Sequence, residues 1–304
     1  MKFGKLANIE GVNFDLPVDP PNNEVLLSPL VEQQKLNFYI GCTGWSMKEW
    51  VGKVYPPKSK TKDFLYHYSR QFNTIELNTT HYRIPTPSTI KNWFDQSAAD
   101  FRFCPKVPQS ISHHRQIGIG TGYIEAFCDS IIGLDEKLGV CFMQMPPYFD
   151  TKRISLLNHF LEKWPSNIPL AIEFRHESWF NQSQDAMHLF DQLANKNVGL
   201  VITDVAGRRD VLHMRITSPW VLLRFVGNGL VPSDYSRIDE WVLRWQQWFD
   251  QGLEELYCFG HEPDNILAPE LVSYISKKAV NLQQLDSRGP KFYQDQTNSQ
   301  ISLF

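Results

Sequence analysis

Eight short runs of apolar and β-prone residues recur along the chain: "NFYIGCTG" (37–44), "TIELNTTHY" (74–82), "FRFCPKVP" (101–108), "GVCFMQMPP" (139–147), "LAIEFRH" (170–176), "GLVITDVAG" (199–207), "WVLLRFVG" (220–227) and "EELYCFGH" (254–261). Most are too apolar to leave a wet face, the pattern of strands covered on both sides. Between most of them, apolar residues recur at helical spacing. "PSTIKNWFDQSAA" opens on Pro87 and Ser88, a favourable helix start. "GYIEAFCDSIIGLDEKLG" sets Ile124, Phe127, Ile131 and Leu134 on one stripe and stops at Gly139. "ISLLNHFLEKWP", "SQDAMHLFDQLANKN", "SRIDEWVLRWQQWFDQG" and "APELVSYISKKA" continue the pattern.

Strand followed by helix, repeated, predicts a parallel sheet covered by helices. The strand starts (38, 74, 102, 139, 170, 199, 220 and 254) are 21 to 37 residues apart. That spacing predicts an α/β chain of the (β/α)8 TIM-barrel class, a single domain over 37–280. Residues 1–36, rich in Pro and Asn, read as an irregular N-terminal extension on the surface, and 281–304 as a C-terminal tail. Only "RRDVLHMRITSP" separates the sixth and seventh strands, so the sixth helix is expected to be missing or reduced to a turn. Neither Gly-x-Gly-x-x-Gly after a strand nor Gly-x-x-x-x-Gly-Lys-Ser/Thr occurs, which removes the usual warrant for a nucleotide-binding fold.

Composition narrows the classes. With 42% hydrophobic and 21% charged residues, the 304-residue chain is an ordinary globule. A formal net charge of −3 without long basic runs disfavours a dedicated nucleic-acid binder. No apolar run approaches the roughly 20 residues that span a bilayer. The start "MKFGKLANIEGVNFDLP" carries acids and Pro where a signal peptide needs an apolar core, so a cytoplasmic protein without a membrane partner is expected. Five scattered cysteines lack any Cys-x-x-Cys pair and read as small buried hydrophobes, neither disulfides nor zinc ligands.

In such a barrel the chemistry gathers at the C-terminal strand ends. Those ends carry Glu76, Asn78, Thr80 and Tyr82 along one face of the second strand, then Lys106, Gln144, Glu173, Arg175, Asp204, Arg224 and His261. Paired charges of this kind also plug barrel interiors, so a structural charge network stands beside the site reading. Three carboxylates and three cations favour a site, because such crowding moves pKa values for acid/base work. Glu76 or Glu173 would be the general base with Asp204 its partner, and Lys106, Arg175 and Arg224 would hold a small anionic or sugar-like ligand. A metal site would need Glu76, Glu173, Asp204 and His261 to converge; no His-x-x-x-His pair supports it, and no metal or cofactor is assigned. Trp45, with Trp50 and Tyr55 in the first βα loop, is either a platform for sugar rings or hydrophobic cover. His113 and His114 lie in the third βα loop.

Seven blocks, "IGCTGWSMKEWVGKVYP", "FNTIELNTTHYRIP", "FRFCPKVPQSISHH", "LGVCFMQMPPYF", "AIEFRHESWF", "VITDVAG" and "LLRFVGN", resemble in order and spacing the signature blocks of the DUF72, or YecE-like, family. The resemblance covers roughly residues 37 to 275. It implies a TIM barrel with a polar pocket at the strand ends and no established activity. The family positions it carries over are Glu76, Asn78, Lys106, Gln144, Glu173, Arg175, His176, Asp204 and Arg224. This chain has "CFGHEPDN" where many members show paired asparagines, and "VGNG" in place of the more usual His-Gly, which makes His261 a candidate substitute. The leading expectation is a hydrolase- or isomerase-like enzyme working by carboxylate acid/base chemistry on a small polar or phosphorylated ligand. The alternatives are a noncatalytic ligand-binding barrel and a metal-dependent nuclease or sugar isomerase similar to the endonuclease IV and xylose isomerase group.

Overall fold

The computed structural model describes residues 4–27, 36–280 and 288–293. Strands fall in all eight expected runs: β1 (Asn37–Gly41), β2 (Thr74–Leu77), β3 (Arg102–Pro105), β4 (Cys141–Gln144), β5 (Leu170–Glu173), β6 (Gly199–Asp204), β7 (Trp220–Val226) and β8 (Glu255–His261). The helices are α1 (Asn22–Leu26), α2 (Phe64–Gln71), α3 (Pro87–Gln96), α4 (Gln109–Ser112), α5 (Tyr123–Ile131), α6 (Ile154–Lys163), α7 (Gln184–Asn195), α8 (Pro232–Gln251) and α9 (Ala268–Ala279). Every pairing is parallel. An apolar layer of Cys104, Val140, Phe142, Ala171, Val201, Leu222, Tyr257 and Phe259 fills one side of the strands, and larger clusters pack the helices on the other.

The expected single closed ladder is not formed. Six strands pair in the order β1-β8-β7-β6-β5-β4, and β2 pairs with β3 as a separate sheet. Both breaks have local causes. Between β3 and β4, Gly139 N donates to Phe103 O at 2.8 Å and Val107 N to Phe142 O at 2.9 Å. The donor between them belongs to Pro105, which has no N–H. Between β1 and β2, side chains stand in for ladder bonds: Ile40 N donates to Asn73 Oδ1 (2.7 Å), Asn73 Nδ2 to Phe38 O (2.8 Å), and Cys42 N to Tyr68 Oη (2.7 Å). One main-chain bond crosses there, Glu76 N to Cys42 O at 3.1 Å. The strands approach so closely that a Cβ on Gly41 would lie 2.0 Å from Thr74 O, which is why glycine ends β1.

The β6–β7 connection carries no α-helix, only a 3₁₀ turn at Arg209–Val211. The N-terminal extension covers that side instead. Gly207 N donates to Gly4 O at 2.8 Å, Phe14 lies 4.8 Å from the Arg237 guanidinium, and Asp19 accepts from Trp248 Nε1 at 2.9 Å. The segment ends in α1, where buried Asn23 donates to Met214 O (2.7 Å) and accepts from Ile216 N (3.0 Å). Of the tail expected over 281–304, residues 288–293 return to α2, with Lys291 N donating to Gln71 Oε1 at 2.8 Å; the rest lies outside the described residues. All five cysteines are free and buried.

Candidate functional site

Side-chain alternation carries the apolar inner layer up to a polar one. Two residues beyond Phe142 comes Gln144, beyond Ala171 Glu173, beyond Leu222 Arg224, beyond Cys104 Lys106 and beyond Phe259 His261, each on the inner face. Arg224 is the hub. Its Nε and Nη2 donate to the two oxygens of Glu76 at 2.9 and 3.0 Å, and its Nη1 donates to Glu173 Oε2 at 2.9 Å. Glu76 also accepts from Asn78 Nδ2 (2.8 Å) and His261 Nε2 (2.9 Å), and Glu173 from Arg175 Nε (2.9 Å) and Gln144 Nε2 (2.7 Å). Gln144 Oε1 in turn accepts from Lys106 Nζ at 3.0 Å. Glu76, Lys106, Gln144, Glu173, Arg175 and Arg224 are all buried.

Electrostatics separates these groups by role. Burial alone would raise the Glu76 carboxyl, but Arg224 and His261 outweigh it and hold it well below the carboxylate range. Glu173 is likewise held at about 2 by Arg175 and Arg224 against its burial. Both carboxylates are therefore anions with every oxygen engaged, which suits counter-ions and not proton acceptors. Lys106 differs: burial, aided by repulsion from Arg224, lowers its ammonium to about 8. Among the described residues its hydrogen-bond acceptor is the neutral Gln144. Burial also lowers His261, which keeps it neutral at physiological pH. Among the described residues two carboxylates thus face three cations, and the surplus charge sits on Lys106.

A histidine that the sequence reading did not single out, His81, lies beside this group. β2 stops at Leu77, and Asn78–His81 coil into a 3₁₀ turn, so the expected line Glu76, Asn78, Thr80, Tyr82 breaks after its first member. His81 swings toward the end of β3, its Nδ1 3.0 Å from Val107 O and its ring 5.5 Å from that of His113. The carbonyl only accepts, so Nδ1 carries the proton and Nε2 keeps a lone pair. Burial, with Lys106, His113 and Arg175 adding repulsion, lowers His81 to about 4. The "THY" that follows a short strand was the available signal.

The family model described as "Protein of unknown function DUF72" matches residues 39–294. The chain belongs to the DUF72 family. The UPF0759 protein YecE of Escherichia coli K12 is 30% identical over 252 residues, 77% of this chain and 89% of that one. The UPF0759 protein YunF of Bacillus subtilis 168 is 30% identical over 150 residues, 47% and 52% respectively. Among solved structures, a DUF72 family protein of Enterococcus faecalis V583 superposes with a TM-score of 0.65 at 21% identity, covering 84% of this chain and 98% of its own. One from Thermotoga maritima MSB8 gives 0.58 at 25% identity, covering 82% and 97%.

Not every expected site residue gathers in the cluster. Asp204, expected as partner of the base, faces the helices: β6 pairs with β7 so that Thr203 lies beside Arg224 and Asp204 beside Phe225. There it accepts from Arg237 Nη2 (2.7 Å), Trp241 Nε1 (2.7 Å) and Arg209 Nη1. The four-ligand metal set of Glu76, Glu173, Asp204 and His261 is therefore not assembled. His176 accepts from Ser178 N at 3.2 Å and caps a 3₁₀ turn. Thr80 Oγ1, 2.7 Å from Lys106 O, ties β2 to β3. Tyr82 is 74% exposed and leans edge-on against His81. Trp45 packs edge-on against Trp93 and Phe103, so its ring is engaged with the helix-side core.

Proposed function

We propose that the two sheets are arcs of one eight-stranded barrel of the TIM class, and that its polar end binds a small anionic ligand, sugar-like or phosphorylated, at Lys106. One observation carries this reading: Lys106 is a buried cation beside a network whose carboxylates are already matched by Arg224 and Arg175. A ligand oxyanion supplies the counter-charge and accepts the ammonium hydrogens that Gln144 leaves unused. His81 and His113 border the same place and offer neutral donor or acceptor edges. The crossing bonds at the two breaks support the barrel reading.

If the ligand is turned over, Lys106 is the acid/base group, because its proton titrates near neutrality while Glu76 and Glu173 remain ionised. Glu76 and Glu173 then hold Arg224 and Arg175 in place. Calorimetric titration with inorganic phosphate and with a hexose phosphate tests the binding. Saturable binding lost in Lys106→Met is expected; equal affinity in the variant and the parent chain would sink the assignment.

A further inference from the structure

The N-terminal segment and the helix-less β6–β7 connection enclose a cleft of about 530 Å³ that shares no lining residue with the polar cluster. Its volume is that of a small-molecule site. Trp179, Phe180, Phe190, Leu212 and Met214 make its apolar wall, and Pro17–Asn22 close the opposite side. That closing segment precedes residue 39, where the family match begins. Arg215 reaches into this wall, 8% exposed. Its guanidinium lies 5.3 Å from the Phe190 ring centre and 3.2 Å from Met187 Sδ, and among the described residues it forms no ion pair.

The acids that line the cleft are occupied elsewhere. Asp19 accepts from Arg244 and Trp248, and Asp210 from Arg208. His213 stacks on Phe180 with ring centres 5.1 Å apart and turns Nε2 toward Val201 O at 3.2 Å; an imidazole, neutral or cationic, cannot be the counter-ion. Asp191 attracts Arg215 without reaching it as an ion pair, and burial outweighs that attraction; a guanidinium left short of counter-charge in an apolar wall asks for a ligand that is apolar everywhere but at one end. We propose that this cleft binds an amphipathic carboxylate, with an aromatic or alkyl body against Trp179, Phe180 and Phe190 and its carboxylate on Arg215.

Isothermal titration with 4-phenylbutyrate and with its neutral counterpart 4-phenylbutan-1-ol tests the proposal. One saturable site is expected for the acid, with the alcohol at least about tenfold weaker. Arg215→Met should erase that preference. Met187→Glu should do the same by a different route, because the new carboxylate pairs with Arg215 from the adjacent helix and leaves the guanidinium in place, with an unchanged melting temperature. Lys106→Met should leave binding of the acid intact. No saturable binding, equal affinity for acid and alcohol in the parent chain, an acid preference that survives both cleft variants, or binding abolished by Lys106→Met would each overturn it.

Discussion

Arg224 grips Glu76 through two parallel hydrogen bonds of 2.9 and 3.0 Å, with both side chains buried. The same guanidinium reaches Glu173 at 2.9 Å, so one cation on β7 joins carboxylates on β2 and β5. Replacing Arg224 with Met leaves the buried Glu76 with only the neutral donors Asn78 and His261 and Glu173 with Arg175 alone, and a loss of about 3–5 kcal/mol is expected. Adding Glu76→Gln to that background should recover part of it, since the surviving repulsion falls. Urea unfolding of the two singles and the double gives the coupling, and strictly additive losses would contradict the shared hub.

Glu173 makes the acid limb of stability steep. Its carboxyl is lowered from 4.5 to about 2 in the folded chain, so the unfolded chain takes up the proton first as pH falls. The contribution is complete above about 4.5 and is lost as pH drops through about 2. Glu173→Gln should flatten stability against pH across this window. A variant whose acid limb matches the parent slope would show that Glu173 is not held ionised.

Lys106 gives slopes of opposite sign in binding and in stability. Its ammonium drops from 10.5 to about 8 on folding, so between those values the unfolded chain holds the extra proton and stability rises with pH. Anion affinity instead falls as pH rises through about 8, when the charge is lost. Lys106→Met should abolish the affinity yet leave the chain as stable at neutral pH, or more so. A charge plug predicts the reverse, a variant that is less stable.

The periodic features were legible in sequence because burial on both faces and period-two alternation are local properties. Glu76, Lys106, Gln144, Glu173, Arg175, Arg224 and His261 needed only strand ends to be found. Asp204 sits at a strand end too, but which face it takes depends on the β6–β7 register, and its partner Arg237 comes from α8. His81 was hidden by the strand's early stop at Leu77, and the ladder break at β3–β4 turns on one missing N–H at Pro105. The cover over β6 and β7 comes from a segment almost two hundred residues away, which no local pattern announces.

Asp204 separates structure from binding. Its carboxylate is buried among Arg237, Trp241 and Arg209 on the helix side, so Asp204→Asn loses charge-assisted bonds to α8 without touching Lys106. A loss of about 2–4 kcal/mol in urea unfolding is expected, with phosphate affinity unchanged. A drop in affinity at undiminished stability would return Asp204 to the site.

Asn23 tests whether the N-terminal segment replaces the missing sixth helix. Its side chain is buried and satisfies two main-chain groups of the β6–β7 connection, accepting from Ile216 N at 3.0 Å and donating to Met214 O at 2.7 Å. Asn23→Ala leaves both without partners in a site closed to water, at about 1–3 kcal/mol for each group. Asn23→Asp keeps the acceptor for Ile216 N but sets an anion against Met214 O, so it should not restore stability. Deleting residues 1–27 removes the cover altogether and should lower the melting temperature more than Asn23→Ala does. If the truncated chain melts with the parent, the segment is an appendage, and the apolar flank of β6 and β7 is held by the residues of the connection alone.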